Sequence, residues 1–462
     1  MYVLTVLALH ARLELAYLPI TIAVCAQGYK ETKKDKICRE NFVPHDHLLG
    51  STEVFAMSID FWQVFWTFNE VIKYAAFTVW TTYSINVVLG LIGNICYKPK
   101  TGFKRTDKVE LALISIASTK VRRALLETIN STVKRFTDIP LNLVVDEGAE
   151  LLEELHVLSQ ARQQIMPNHN KLFNSQIMTK QQAFTIVVVP KNYRPDLIAK
   201  GRAMNYFIEN KVNPEKWYTF IDDDNVLLDD KFLYELPYYE RKGYVACNPV
   251  LYTRQGKNVF TTIMDWIRFF EDITVFRFFT GLTEKPWIGL HGEMLTVRGD
   301  VLKDIGYGEP SIAEDFHFAA HLVRRNLKVW QSDTRVSLRP PNNLHDLCKQ
   351  RARWFKGIWS DIKYCPLKMR MIMGYRLISW TCGVIGSWIF APLWVFWTAP
   401  HPAILIDIAI GGFYIWIIFI YSIVRTRQPL YYMLMIPLFG IFESISFWSK
   451  YDTKKFVVID KN

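Results

Sequence analysis

The stretch Lys216–Asp230, KWYTFIDDDNVLLDD, joins an apolar run to three consecutive carboxylates. Aromatic and β-branched residues over Trp217–Ile221 are typical of a short buried strand. Side chains alternate along an extended chain, so we expect Asp222 and Asp224 on one side and Asp223 on the other. Two carboxylates on one side suit Mg²⁺ or Mn²⁺ bridging to phosphates, because these ions prefer oxygen ligands. An acidic loop after a buried strand explains the same residues equally well, so the rest of the chain has to decide.

The composition separates a central region from two apolar regions. Half of the 462 residues are hydrophobic and 15% are aromatic, and the apolar residues concentrate in Asp60–Tyr97 and Gly374–Trp448. The region between them has the composition and size of one soluble α/β domain. The net charge is +11, but no stripe of lysine and arginine with interleaved aromatics is present, which argues against nucleic-acid binding. The seven cysteines include no C-x-x-C pair, so they indicate neither a zinc site nor a disulfide framework.

The apolar regions predict helices that span a membrane. The best candidates are about Tyr74–Tyr97, Gly374–Thr398, Ile404–Val424 and Leu430–Trp448, with Pro437 and Glu443 weakening the last. Lysines and arginines at 98–108 and Arg425–Arg427 flank these segments and place the middle domain in the cytosol. We therefore expect an integral, multi-pass membrane protein that contacts membrane lipids.

Strand and helix patterns alternate in the middle of the chain and predict a parallel sheet. Leu111–Ala117 reads as a strand, Val121–Phe136 as an amphipathic helix and Leu141–Val145 as a second strand. Further strands are predicted at Phe184–Val189, Trp217–Ile221 and Tyr244–Leu251. The expected domains, in order, are an N-terminal membrane region (1–97), a cytosolic α/β domain (98–354), an interfacial amphipathic segment (355–373), a C-terminal transmembrane region (374–449) and a polar tail (450–462).

Three further polar motifs accompany the acidic strand end. Asp146 follows the second strand, and ligands of parallel sheets lie beyond the carboxyl ends of the strands, so it is placed to contact a base or ribose. The N-cap of the next helix explains Asp146 equally well. Glu314 and Asp315 open an apparent helix, where capping by itself accounts for acids. The sequence QRARW at 350–354 precedes the apolar C-terminal region.

Taken in chain order, these motifs resemble those of the family 2 glycosyltransferases over roughly residues 105–360. Within that family, Gly292, Ala313–Asp315 and the Q-x-x-R-W run at 350–354 look most like the egghead-type β-1,4-mannosyltransferases, which transfer mannose from GDP-mannose to a glucosyl lipid. Cellulose, chitin and hyaluronan synthases share the motifs. The resemblance implies a GT-A fold, which is a Rossmann-like nucleotide-sugar-binding domain, and inversion at the anomeric carbon.

The resemblance also implies a role for individual residues. Asp315 becomes the catalytic base, since the acceptor hydroxyl needs a carboxylate to take its proton. Asp224 becomes the principal metal ligand, together with Asp222. The residues implied to bind substrate are Asp146 at the donor nucleotide, Asp222 at the donor or the metal, Glu314, and the trio Gln350, Arg353 and Trp354, which would close over the donor pyrophosphate and the acceptor sugar. An arginine fork suits phosphate oxygens and a Trp face suits a sugar, although Trp354 also fits an ordinary interfacial aromatic.

The expected function is a membrane-embedded, metal-dependent inverting transfer of a hexose from a nucleotide sugar to a lipid-linked or membrane-presented acceptor. A processive polysaccharide synthase shares the Q-x-x-R-W motif, but three or four spans are few for a channel that threads a polymer. A non-catalytic membrane receptor that binds sugar nucleotides is a rival of another class, and the intact acids argue against it. A metal-dependent nuclease or polymerase could use acid pairs too, but would not need Q-x-x-R-W beside a membrane.

Overall fold

The computed structural model describes residues 84–102, 104–169, 184–383 and 402–449. Much of the predicted N-terminal membrane region, the polar tail and part of the first C-terminal span lie outside these residues. None of the helices in the described ranges combines the length and apolar character that are needed to cross a membrane. The predicted flanking transmembrane helices are therefore not supported within those ranges.

One mixed sheet organises the described part of the chain. Its strands are β1 (Val109–Ser115), β2 (Leu141–Asp146), β3 (Thr185–Val189), β4 (Trp217–Asp222), β5 (Val226–Leu227), β6 (Tyr244–Thr253), β7 (Met294–Arg298) and β8 (Lys328–Leu338). They lie in the order β3-β2-β1-β4-β7-β6-β8-β5. The first four in this order are parallel to one another, and β7 runs antiparallel to both of its neighbours. The sheet is thus a parallel half joined to a mixed half through β4 and β7.

Helices cover both faces of the sheet and extend beyond it. They are α1 (84–96), α2 (Arg122–Arg135), α3 (Leu152–His169), α4 (Ala199–Lys211), α5 (Lys231–Arg241), α6 (Val259–Asp265), α7 (Ile267–Glu271), α8 (Gly299–Ile305), α9 (Glu314–Arg324), α10 (Leu344–Asp361), α11 (Leu367–Ile378), α12 (Pro402–Arg425) and α13 (Ile436–Trp448). Short 3-10 helices lie at Thr119–Val121, Ile362–Tyr364 and Leu430–Met435. Two π-helical segments, Asp272–Leu282 and Ser379–Gly383, continue α7 and α11.

The alternation along β1 shows how the sheet supports two cores. Ala112 and Ile114 belong to a buried cluster that includes α4 and α9, whereas Leu111 and Leu113 belong to another that includes α2 and α5. Phe207 of α4 is fully buried in the first cluster, and burial of such a side chain stabilises the fold by about 1.5–3 kcal/mol. The resulting three layers fix the edge at which β1, β2 and β4 end.

The structure confirms the α/β fold, but the sheet is mixed rather than parallel, because β7 is antiparallel to its neighbours. The expected strands form as β1, β2, β3, β4 and β6, with boundaries that differ by a few residues. Strands β5, β7 and β8 did not emerge from the sequence. Helix α10 runs through Trp354, so it continues across the expected boundary between the α/β domain and the amphipathic segment. The Q-x-x-R-W motif therefore lies within a helix that packs against α13.

Candidate functional site

Four chain segments meet at the carboxyl end of β4. Asp222 is the last residue of that strand, and Ile221 pairs with Met294 of the antiparallel β7, which brings the preceding turn at Gly292 and Glu293 alongside. The N-terminal ends of α4 and α9 point to the same edge. Together with Q-x-x-R-W residues of α10 they surround one cavity, called here the acid cavity, whose polar lining includes Lys200, Asp222, Arg268, His291, Glu293, Glu314, Asp315, Arg351, Arg353 and Trp354.

Lys200 joins two of the predicted acids. Its Nζ lies 2.7 and 2.8 Å from the two carboxylate oxygens of Asp222 and 3.4 Å from Glu314. Burial raises the pKa of Asp222 to about 6, although the ammonium of Lys200 lowers it. Burial acts to lower the pKa of Lys200, but the negative charges of Asp222 and Glu314 outweigh burial and raise that pKa. One protonated lysine is therefore fixed among the carboxylates.

Asp315 is held by two backbone amides. The N–H of Gly292 donates to its Oδ2 at 2.8 Å, and the N–H of Phe316 donates to its Oδ1 at 2.7 Å. Burial, followed by the negative charge of Glu314, raises the pKa of Asp315 to about 7. A carboxylate with a pKa near neutrality is suited to accept a proton. Glu314 and Asp315 both face the cavity, while the N-cap residue of α9 is Ala313.

The three aspartates after β4 take three environments. The chain turns at Asp223 and Asp224, so the alternation expected for an extended strand ends at Asp222. Asp223 accepts a hydrogen bond from Ser115 at the end of β1, at 2.7 Å. Asp224 is 4% exposed and its charge, with that of Glu293, raises the pKa of Asp222. Asp222 and Asp224 are therefore electrostatic neighbours, as the metal prediction requires, but the turn rather than strand alternation brings them together.

Trp354 contacts two guanidinium groups. The Cζ atoms of Arg268 and Arg351 lie over its ring, 4.6 and 4.5 Å from the ring centroid. Arg268 pairs with the partly buried Glu293. Burial acts to raise the pKa of that carboxyl, but the charges of Arg268, His291 and Lys200 together outweigh burial and lower it. The aromatic residue predicted at the acceptor sugar is thus connected through Arg268 to the acids.

Arg351, the second residue of the motif, is its most buried charge. It is 1% exposed and lies 2.9 Å from Asp265 and 3.0 Å from Glu443. Its Nη1 also donates to Oε1 of Gln350 at 3.1 Å. Gln350 itself is buried and is absent from the cavity wall, whereas Arg353 contributes to that wall. Because removing one partner of a buried ion pair costs about 3–5 kcal/mol, Arg351 fixes α10 against α6 and α13.

Asp146 lies at the end of β2, outside the lining of the acid cavity. Its Oδ1 accepts a hydrogen bond from Arg202 of α4 at 2.7 Å. Burial raises the pKa of Asp146, while Arg202 lowers it. The following helix begins at Leu152, so Asp146 does not occupy its N-cap position. Its position at the strand end remains compatible with the predicted contact to the donor nucleotide.

Sequence reasoning missed several polar residues of the cavity. They are Arg268, Glu293 and the pair His291 and Asp272, which lie in or beside the wall. Burial acts to lower the pKa of His291, but Asp272 and Glu293 together outweigh burial and raise it. They come from an apolar helix and from the short turn before an unrecognised strand. Arg268 is followed by two phenylalanines, so the local sequence has the pattern of an apolar helix.

Two sequence comparisons identify similar proteins. Residues 217–439 match the model of the family described as Glycosyl transferase family group 2. The Beta-1,4-mannosyltransferase egh of Drosophila melanogaster is 25% identical over 207 residues, which cover 42% of this chain and 45% of the fly protein. The matched region thus spans less than half the length of that curated relative. The family match at 217–439 contains the D-x-D, E-D and Q-x-x-R-W residues.

Solved structures with a similar arrangement were also found. The mannosyltransferase PcManGT from Pyrobaculum calidifontis, in complex with GDP-Man and Mn²⁺, has a TM-score of 0.47 and 12% identity, over 82% of this chain and 97% of that chain. Residues 1–349 of S. aureus TarS in complex with UDP-GlcNAc give a TM-score of 0.37 and 11% identity, over 74% of this chain and 89% of that chain.

Proposed function

We propose that this chain is a family 2 glycosyltransferase that transfers one hexose from a nucleotide sugar to a lipid-linked, membrane-presented acceptor with inversion at the anomeric carbon. Mannose is the proposed sugar, because the curated relative is a mannosyltransferase, and GDP-mannose is the donor that the resemblance to the egghead-type enzymes implies. The observation that carries the proposal is the placement of Asp222, Glu314 and Asp315 around Lys200 in one cavity.

Asp315 is the proposed base. Its carboxylate takes the proton from the acceptor hydroxyl while the acceptor oxygen forms a bond to the anomeric carbon and the bond to the nucleotide diphosphate breaks. The electron pair of that bond leaves with the diphosphate. The amides of Gly292 and Phe316 orient the carboxylate for this step, with donor-to-oxygen distances of 2.8 and 2.7 Å. Because burial raises the pKa of Asp315 only to about 7, a substantial fraction of this carboxyl group is ionised at neutral pH.

A divalent cation fits the acid cluster on charge. The negative charges of Asp224 and Glu293 both raise the pKa of Asp222, which means that they repel its carboxylate. Asp224 and Asp222 would hold Mn²⁺ or Mg²⁺, both of which prefer oxygen ligands. When bound, the ion would neutralise charge that develops on the leaving diphosphate. Lys200 and the arginines of the cavity wall supply the positive charge that belongs to the chain itself.

A second cavity supports a lipid acceptor. It adjoins the acid cavity, shares Glu271, Arg376 and Trp380 with it, and is otherwise lined mainly by apolar side chains, among them Ile415 and Phe439. Arg376 and Glu271 form an ion pair of 2.9 Å at the shared wall. A sugar head in the acid cavity and an apolar chain in its neighbour would suit an amphipathic acceptor.

Exposed apolar side chains support attachment to a membrane. The exposed fractions are 69% for Phe413 of α12, 80% for Leu434 of the 3-10 helix before α13, and 67% for Trp448 of α13. Large apolar groups in such number are costly in water and favourable in a bilayer.

We propose that the chain is an integral, multi-pass membrane protein whose catalytic domain faces the cytosol. Protease treatment of sealed vesicles with the cytosolic face outward should cut within residues 98–354, and protection of the whole segment would reverse the orientation.

The activity is tested with the full chain purified in detergent. It is incubated with GDP-mannose, UDP-glucose or UDP-GlcNAc and a glucosyl lipid, with Mn²⁺, Mg²⁺ or EDTA, and release of nucleotide diphosphate and sugar transfer are both followed. We expect transfer of a single mannose that requires the metal and is lost in Asp315→Asn. Donor binding without release would favour a receptor, and products with many sugars would favour a processive synthase.

A further inference from the structure

A second cluster of ligating side chains lies outside the acid cavity. His317 and His321 are four residues apart on α9, so one helix face presents both rings. Their Nε2 atoms are 3.1 Å apart, and Nε2 of His317 is 3.3 Å from Oε2 of Glu309. The ligand atoms of all three residues lie within 4.8 Å of one another. None of the three lines the acid cavity.

These separations match the spacing of ligands around zinc. Tetrahedral ligands at about 2.0–2.1 Å from Zn²⁺ lie about 3.3 Å apart. The observed 3.1 and 3.3 Å agree with that separation. The remaining pair, His321 and Glu309, can adjust, because the Glu309 side chain is 53% exposed and belongs to a loop.

A carboxylate stands behind the buried histidine. Oδ2 of Asp361, at the end of α10, lies 3.6 Å from Nδ1 of His317. That Nδ1 is buried and makes no hydrogen bond, so a small approach by Asp361 would satisfy it. Zinc-ligating histidines commonly donate their second N–H to a carboxylate, which directs the other nitrogen at the metal. Ser311 donates to Asp361, and the edge of Tyr364 packs on the His317 ring.

We propose that Glu309, His317 and His321 form a zinc site, separate from the cation site of the donor. Two imidazoles and one carboxylate favour Zn²⁺ over Mg²⁺ or Ca²⁺, which prefer all-oxygen sites. The exposed Glu309 side leaves room for a water molecule as the fourth ligand. The site would tie the loop at 309–313 to α9, whose first two residues are Glu314 and Asp315. Zinc would therefore stabilise the segment that places the proposed base, and the binding itself does not depend on the transfer reaction.

The test measures Zn²⁺ binding to the full purified chain by competition with a chromophoric chelator, in excess Mg²⁺. We expect one tight site per chain and a higher unfolding temperature with Zn²⁺, because a ligand that binds the native state stabilises it. Glu309→Gln and His321→Gln should each weaken binding by about tenfold or more, as outer-shell changes alone cost about 10–100-fold. His345→Gln, an exposed histidine on α10, is the matched control and should leave the affinity unchanged.

Three outcomes would overturn the zinc site. The first is tight binding that survives both Glu309→Gln and His321→Gln. The second is no tight binding at all, which would mean that the two histidines form only a hydrogen bond. The third is binding that Asp224→Asn removes, which would place zinc at the acids that follow β4. Glu309 lies at the surface, so its variant keeps the test decisive even where a change at the buried His317 prevents folding.

Discussion

Lys200 places its Nζ 2.7 and 2.8 Å from the two carboxylate oxygens of Asp222, the first acid after β4. Burial is the largest cause of the raised pKa of Asp315, and the charge of Lys200 acts to lower that pKa. The lysine therefore acts on the donor side and the base side of the cavity at once. Neither acid could stay ionised as readily at neutral pH without it.

Replacing Lys200 by Met should move the pH dependence of transfer. The pKa values of Asp222 and Asp315 should both rise, so the acidic limb of the kcat/KM profile should shift to higher pH and the rate at pH 7 should fall several-fold. Lys216→Met is the control, because Lys216 forms a 2.7 Å pair with Glu110 away from the cavity. An unchanged profile in Lys200→Met would show that this lysine does not act on the ionisation of the base.

Asp315→Asn and Glu314→Gln separate the two adjacent acids. Loss of a positioned base costs about 10²–10⁴-fold, so Asp315→Asn should reduce transfer by that factor while donor affinity stays close to that of the original protein. Glu314→Gln weakens a 3.4 Å contact with Lys200 and should have a smaller effect. Single-turnover transfer and donor affinity are measured on the same preparations. The reverse order of effects would move the base to Glu314.

The pH dependence of the protein's stability should also reflect the ionisation of Asp315. Its folded pKa of about 7 lies above its ordinary value of 3.8, so the folded state binds the proton more tightly than the unfolded state. The resulting stability is fully present below about pH 4 and is lost as the pH rises through 7. Asp315→Asn removes this dependence. Between pH 4 and pH 8 the unfolding temperature of the original protein should therefore fall more than that of the variant, and parallel curves would contradict the raised pKa.

The parallel half of the sheet could be predicted from the sequence because its strands are apolar. β2 and β4 bury nearly every side chain, and each ends in an acid at the sheet edge. β8 escaped notice for the opposite reason. It contains Gln331, Ser332 and Thr334, which are polar yet fully buried, since hydrogen bonds within the sheet and to β6 satisfy such groups. Within the mixed half, composition therefore predicted β6 but not β5, β7 or β8.

The same limit applies to the site. Its acids occur in recognisable motifs, but their partners depend on which segments the fold brings together. Arg268 meets Glu293 and Trp354 although these residues lie far apart in the chain. In Q-x-x-R-W, sequence directed attention to Arg353, whereas the buried pairs with Asp265 and Glu443 belong to Arg351. Pairing of charges across separate helices is a consequence of packing that no local pattern contains.

Gly292→Ala tests how closely the carboxylate of Asp315 must be placed. A Cβ at Gly292 would lie 3.2 Å from Oδ2 of Asp315 and 3.2 Å from Nζ of Lys200, so both groups would have to give by a few tenths of an ångström. Displacement of a reacting group by about 1 Å can cost about 10²-fold, so we expect a shift of a few tenths of an ångström to reduce transfer by about fourfold. Gly374→Ala in α11 is the matched control, because its Cβ would meet nothing within 4 Å. It should transfer at the original rate and unfold at an equal or higher temperature, since alanine favours a helix over glycine by about 1 kcal/mol. If Gly292→Ala also transferred at the original rate, the reaction would tolerate a shift of a few tenths of an ångström in the carboxylate of Asp315.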